Sequence, residues 1–297
     1  MAGFFAKLPG LRSRLARSPG PAAPPQLPYR TSSAFLGDYT ALTLLHGAYM
    51  IYVDTRSTDI APHLMMRGEW EPHEVATFQR MIRPGDTVFD LGANVGVYSL
   101  IAAAATGPRG QVHAFEPNPR NAALLARSLA VNGFDGFSTI HAVAVGEEEG
   151  TATLVFNPEW SGGGFMDTTR AEGGVGADGD RRVPARVVTL DRYFTDPSLT
   201  LDVAKLDIEG MEGRALRGMR GLLERSPRAR LMIEWAPDML ARQGVTAAEI
   251  VALLAGIGFR FWTISGRASL EPIAAEALGG MTDGLQNVVA ARGPDPA

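Results

Sequence analysis

The chain has 297 residues, 45% of them hydrophobic, a formal net charge of −4 and no cysteine. That length and apolar content suit one large domain or a domain with an appendage, and the lack of cysteine excludes disulfides, zinc–thiolate sites and thiol nucleophiles. No apolar run approaches the roughly 18 residues of a helical membrane span, and the acidic balance carries no electrostatic footprint of nucleic-acid binding.

Residues 1–34 read as a flexible leader. Lys7, Arg12, Arg14, Arg17 and Arg30 meet no acid there, and six prolines fall within the first thirty residues. Such a composition favours a disordered tail; a short amphipathic anchor on an anionic membrane and a transit peptide are the alternatives. The leader has no apolar stretch of secretory-signal length, so the expectation is a cytoplasmic protein with at most a peripheral contact to the inner membrane face. Residues 35–83 read as a preamble packing on the core. AYMIYVD alternates as a strand, and EPHEVATFQRMI has helical spacing with Pro72 near its start.

From residue 84 onward the pattern is regular. TVFDLG (87–92) reads as a strand and 95–105 as a helix. QVHAFEP (111–117) is a strand, 119–132 a helix opened by Pro119, and STIHAVAVG (138–146) a third strand. Such alternation predicts βαβ crossovers and a parallel sheet. TATLVFN (151–157) reads as an added strand. Residues 161–182 lack periodicity and read as a mobile loop on the acceptor side. PARVVTLDRYF (184–194), LDVAKLDIEG (201–210) and ARLMIEWAP (229–237) supply further strands, with helices over 214–224 and 247–255. FRFWTIS and LQNVVAAR close the fold as an antiparallel pair.

The most informative stretch is Asp90-Leu-Gly92-Ala93-Asn94-Val-Gly96, a glycine turn between a strand and a helix. Its GxxxG spacing departs from the GxGxxG of pyrophosphate-binding turns, which points to an adenosine cofactor without phosphates, S-adenosylmethionine. On that reading Asp90 faces the ammonium, directly or through water. Backbone N–H groups at the helix start receive the carboxylate, and Glu116 takes the ribose hydroxyls. Pro117 and Asn118 flank the ribose, and Ala142–Val143 line the adenine. The blander readings are that Gly92 and Gly96 serve strand–helix packing, Asn118 caps a helix, Asn132 ends one and His141 is structural.

DLGANVGVYS, FEPNP, LAVNG, AVAVGEEEG, KLDIEGMEG and IEW, in that order, together with RGEWE at 67–71, resemble the FkbM family of S-adenosylmethionine-dependent methyltransferases over residues 50–292. The resemblance implies a class I methyltransferase, Rossmann-like fold. That is an α/β architecture with a mostly parallel seven-stranded sheet, its last strand antiparallel and helices on both faces. It also implies O-methylation of hydroxyls on substrates from macrolides to sugars and glycolipids.

An alcohol is a poor nucleophile while protonated, so a base or a cation belongs beside its oxygen. Asp207 is the first candidate, Glu209 the second, and Glu234 converges from the next strand; period two would turn Lys205, Asp207 and Glu209 the same way. A divalent metal on Asp207, Glu209 and Glu234 is a further option but not the expectation. NPEW at 157–160 lacks the second proline of an exocyclic-amine motif, which favours oxygen as acceptor. Trp160, Phe165, Arg170, Arg181 and Arg182 offer contacts to that acceptor. The rival readings are a non-catalytic S-adenosylmethionine-binding protein, an NAD-dependent oxidoreductase and a methyltransferase acting on nucleic acid.

Overall fold

A computed structural model of the chain describes residues 31–167, 174–175, 179–266, 268–293 and 296. The leader through residue 30 lies outside the described residues, as does Arg170. Three antiparallel strands come first, β1 (Ala34–Gly37), β2 (Thr40–Leu45) and β3 (Tyr49–Asp54), paired in that order. Helix α1 (Ile60–Arg67) starts where the Asp59 side chain accepts from the Ile60 N–H and stops at Gly68, whose φ is 69°. Helix α2 (Pro72–Met81) starts on Pro72, whose missing N–H would be unpaired there in any case.

The central unit follows: β4 (Thr87–Leu91), α3 (Val97–Thr106), β5 (Gln111–Phe115), α4 (Pro119–Val131) and β6 (Ser138–His141). A second sheet is then inserted, with β7 (Ala144–Val145), β8 (Gly150–Asn157), β9 (Trp160–Asp167), β10 (Gly174–Val175) and β11 (Arg181–Val188). The chain returns through α5 (Leu190–Tyr193), β12 (Val203–Leu206), α6 (Glu212–Gly218), α7 (Arg220–Glu224), β13 (Arg230–Trp235), α8 (Pro237–Arg242) and α9 (Ala247–Ile257). It closes with β14 (Arg260–Ile264), β15 (Leu270–Ile273), α10 (Ala275–Gly279) and β16 (Gln286–Ala291).

The main sheet has the order β15-β14-β16-β13-β12-β4-β5-β6. Strands β6, β5, β4, β12 and β13 run parallel, and β16 inserts antiparallel between β13 and β14. These seven make the class I methyltransferase sheet, and β15 adds an eighth strand at the edge as a hairpin with β14. Side-chain alternation sends Val88 of β4 into one core with Phe78, Leu100 and Leu125, and Phe89 into the other with Leu216, Leu222 and Leu254. Helices therefore cover both faces, which is why the central strands read as near-continuous apolar runs. Among the described residues no helix is long and apolar enough to cross a membrane.

Three sequence expectations change. STIHAVAVG is two strands in two sheets: β6 ends at His141, the Val143 N–H turns back onto the His141 carbonyl, and β7 pairs with β11. The stretch from 161 is strand β9 as far as Asp167, and β11 begins at Arg181 rather than 184. The Gly162–Gly164 run has no side chains to alternate, so the ladder with β8 carries the strand without a periodic signal. The predicted helix over 214–224 is α6 and α7, which meet at Met219.

Candidate active site

Strand β4 ends beside β12, and the chain turns at Gly92 with φ 85°. A Cβ there would lie 1.9 Å from the Asp207 carbonyl oxygen. Gly92→Ala combines that clash with a left-handed backbone, so a loss of more than about 2 kcal/mol of stability is expected in thermal or urea melts. Gly96, with φ 102°, stands at the start of α3, where a Cβ would meet the Leu125 side chain at 2.5 Å. It therefore serves packing and does not line the cleft.

Glu116 follows β5 and is buried. One oxygen accepts from the Asn94 N–H and the other from the Asn118 N–H, both at 2.7 Å. Burial pushes its carboxyl up to about 7, against the opposing pull of those two amides. Asn118 also caps α4, its side chain accepting from the Arg120 N–H. These groups floor a cleft that includes Gly92, Pro117 and Val143, roofed by Leu154 and Phe156 of β8 and Met166 of β9. Ala142 is exposed and not among its lining residues, because the chain turns there. Asp90 is also absent from the lining. It lies 1% exposed behind the turn, where the Ser99 hydroxyl donates to it at 2.6 Å, and burial pushes it up to about 6. A direct contact between Asp90 and a cofactor ammonium is thereby withdrawn.

A second chamber shares Gly92, Asn94, Gly162, Asp207 and Glu209 with the first. Ala93, Trp70, Glu71, Tyr98 and Glu234 belong to it alone. Asp207, Glu209 and Glu234 each bring an oxygen to within 4.8 Å of the others. Strand pleating aims Glu234, inside β13, but not Glu209: β12 stops at Leu206, and Glu209 takes a left-handed φ of 55°. The turn is fixed by Glu212 at the start of α6, which accepts from the Ile208 N–H at 2.8 Å and the Gly210 N–H at 3.3 Å. Burial, then Asp207 and Glu212, push Glu209 up to about 8. Burial and the same acidic neighbourhood push Glu234 up as well, and its Oε2 has no hydrogen-bond partner.

One cation stands behind this cluster. Lys205 is fully buried, with Nζ 2.8 Å from Asp207 and 3.0 Å from the Asn287 side-chain oxygen. The same Nζ lies 4.9 Å from the centroid of the Tyr98 ring. The roof is fastened by Asp59, which accepts from the Gly162 N–H at 2.8 Å and the Ser161 hydroxyl at 3.2 Å. The Asn94 amide donates to the Ser161 carbonyl at 3.0 Å, joining roof to floor. Sequence reasoning missed Glu212, Asp59, Trp70 and Glu71 as site residues. The acid two residues after Gly210, at a helix start, was the one local signal for Glu212.

His141 stacks on Phe115 at 4.4 Å and bonds His113 and the Tyr193 hydroxyl, each at 3.1 Å. Burial lowers both imidazoles to about 4, so they are neutral structural rings. Trp160 and Phe165 are exposed on β9, and Arg182 pairs with Asp167 at 3.5 Å. Arg181 lines a neighbouring pocket with Arg56 and Arg120, which shares Asn118, Asn121, Phe156 and Ser161 with the cleft.

A model of the methyltransferase FkbM domain matches residues 90–261. The chain is 30% identical over 201 residues to 31-O-demethyl-FK506 methyltransferase FkbM of Streptomyces tacrolimicus, a match that covers 60% of this chain and 74% of that protein. It is 29% identical over 157 residues to methyltransferase sdnD of Sordaria araneosa, covering 44% of this chain and 60% of that one. Among solved structures, the O-methyltransferase TomG of Streptomyces achromogenes in complex with S-adenosylmethionine aligns with a TM-score of 0.44 at 14% identity, over 75% of this chain and 80% of that one.

Proposed function

The chain belongs to the FkbM methyltransferase family and is an S-adenosylmethionine-dependent methyltransferase, and on that premise we propose that it methylates a hydroxyl of a small molecule, sugar or glycolipid. The observation that carries this reading is the carboxyl trio of Asp207, Glu209 and Glu234, gathered within 4.8 Å beside the Gly92 turn. The relative from Streptomyces tacrolimicus is named for transfer to an oxygen.

The donor set fits the methyl donor. Glu116 accepts from the ribose hydroxyls with the lone pairs that its two amide bonds leave free. Pro117 and Val143 line the adenine between floor and roof, and Asn94 and Ala93 border the methionine end. When bound, S-adenosylmethionine would supply an activated methyl group: an O–C bond would form as the C–S bond breaks in line, S-adenosylhomocysteine leaving and the hydroxyl proton passing to a base. The protein's own task is alignment and proton removal. Glu209, whose proton affinity is raised, takes that proton. Asp207, held by Lys205, orients the hydroxyl. Lys205 only holds Asp207 from behind the wall, and no divalent metal is invoked.

The basic leader and residues 35–83 are read as parts of the same enzyme. The first offers weak contact to an anionic surface of the cytoplasmic membrane, and the second walls the site. Strand β9 walls the acceptor side; the rest of the loop expected to act there, residues 168–173 and 176–178, lies outside the described residues. The test is transfer of labelled methyl to a panel of hydroxylated acceptors in the presence of EDTA. Label on oxygen is expected. Label appearing only on nitrogen, or only after a metal is restored, overturns the corresponding part of the reading.

A further inference from the structure

The second chamber gathers more carboxyls than methyl transfer to a hydroxyl uses. Four carboxyls line it, Glu71, Asp207, Glu209 and Glu234, and no Lys, Arg or His does. Lys205 behind the wall is already committed to Asp207 and Asn287. Glu71 is the outlier of the four. It comes from the segment before α2 and takes no part in orienting or deprotonating the acceptor.

Its backbone is left-handed, with φ 43° and ψ 60°, and its side chain does not cap α2. A non-glycine residue held there is strained, and such strain persists where the surroundings over-determine it. Tyr98 from α3 fixes the carboxyl by donating to Oε2 at 2.5 Å. Trp70 lines the chamber beside it. Burial pushes the Glu71 carboxyl up, with Lys205 opposing. An arriving cation would favour its ionised form.

We propose that Glu71, held by Tyr98, binds the α-ammonium of the methionine moiety of S-adenosylmethionine, so that the preamble supplies part of the methyl-donor site. Glu71 thereby makes the direct contact that Asp90, buried behind the turn, does not offer. The inference rests on the reading that the cleft holds this donor, and the test separates the two.

Titration calorimetry compares S-adenosylhomocysteine, which carries the ammonium, with 5′-methylthioadenosine, which lacks the amino-acid tail. Three proteins are used: the full-length wild type, Glu71→Gln and Tyr98→Phe. Glu71→Gln is expected to weaken S-adenosylhomocysteine at least tenfold and 5′-methylthioadenosine less than twofold; Tyr98→Phe shows the same contrast with a smaller loss. Equal losses on both ligands mean a structural role and overturn the proposal, as does no loss on either. Binding of neither ligand by the wild type overturns the donor reading itself and the proposal with it.

Discussion

Glu116→Gln is expected to weaken S-adenosylmethionine by more than about tenfold, since each hydrogen bond to a charged group is worth about 1.5–3 kcal/mol. Both carboxylate oxygens already hold a backbone N–H at 2.7 Å, so two anionic acceptors stand fixed before any ligand arrives. Glutamine keeps one acceptor and turns an amide N–H toward the other backbone donor. That leaves a buried N–H unpaired and costs about 1–3 kcal/mol of stability, readable in a melt. Unlike the Glu71 variant, this one weakens S-adenosylhomocysteine and 5′-methylthioadenosine alike, because both carry the ribose. The pH dependence has a definite sign. The ionised carboxyl is the form that accepts from two hydroxyls, and burial pushes its pKa up to about 7 in the free protein. Affinity therefore falls as pH drops from 8 to 6. Calorimetry at the two pH values with 5′-methylthioadenosine, which carries the ribose but no ammonium for Glu71, checks this, and a slope that survives in Glu116→Gln would refute the assignment.

The central sheet was legible because strands buried on both faces write themselves as apolar runs, as TVFDL and VAKL do, and because Pro119 and Gly92 punctuate the turns. Glu116 was legible for the same reason: a strand end fixes where the next residue points. The misreadings lie where tertiary contacts override the local pattern. Asp90 has the residue type of a ligand group, but Ser99 of α3 claims it, and no local spacing reveals a partner nine residues on. Residues 138–146 are continuous in hydropathy, yet the second sheet takes Ala144–Val145 because β11 offers it a partner. Glu209 points into the cleft through a left-handed turn held by Glu212 rather than through strand pleating. Glu71 was visible only as a letter in RGEWE, since its place in the chamber with Asp207 depends on how α2 packs against the core.

Glu209→Gln is expected to lower kcat by about 10²–10⁴-fold, the usual contribution of a positioned base, with little change in affinity for the methyl donor. With donor saturating, the wild-type rate should climb about tenfold per pH unit at acid pH and level off at or below about 8. The limb is set by burial and by the Asp207 and Glu212 carboxyls, which push Glu209 up to about 8 in the free protein. A bound sulfonium favours the ionised form and moves the limb lower. In Glu209→Gln the limb disappears. Asp207 needs a different experiment, because Asp207→Asn strips the fully buried Lys205 of its counter-ion. Removing one partner of a buried pair costs about 3–5 kcal/mol, so the single variant confounds folding with chemistry. Asp207→Asn combined with Lys205→Met removes both charges and recovers much of that stability. If Asp207 orients the acceptor, the double variant melts near the wild type yet stays slow. If Asp207 serves only to neutralise Lys205, the double variant regains turnover along with its fold, and the orienting role falls to Glu234.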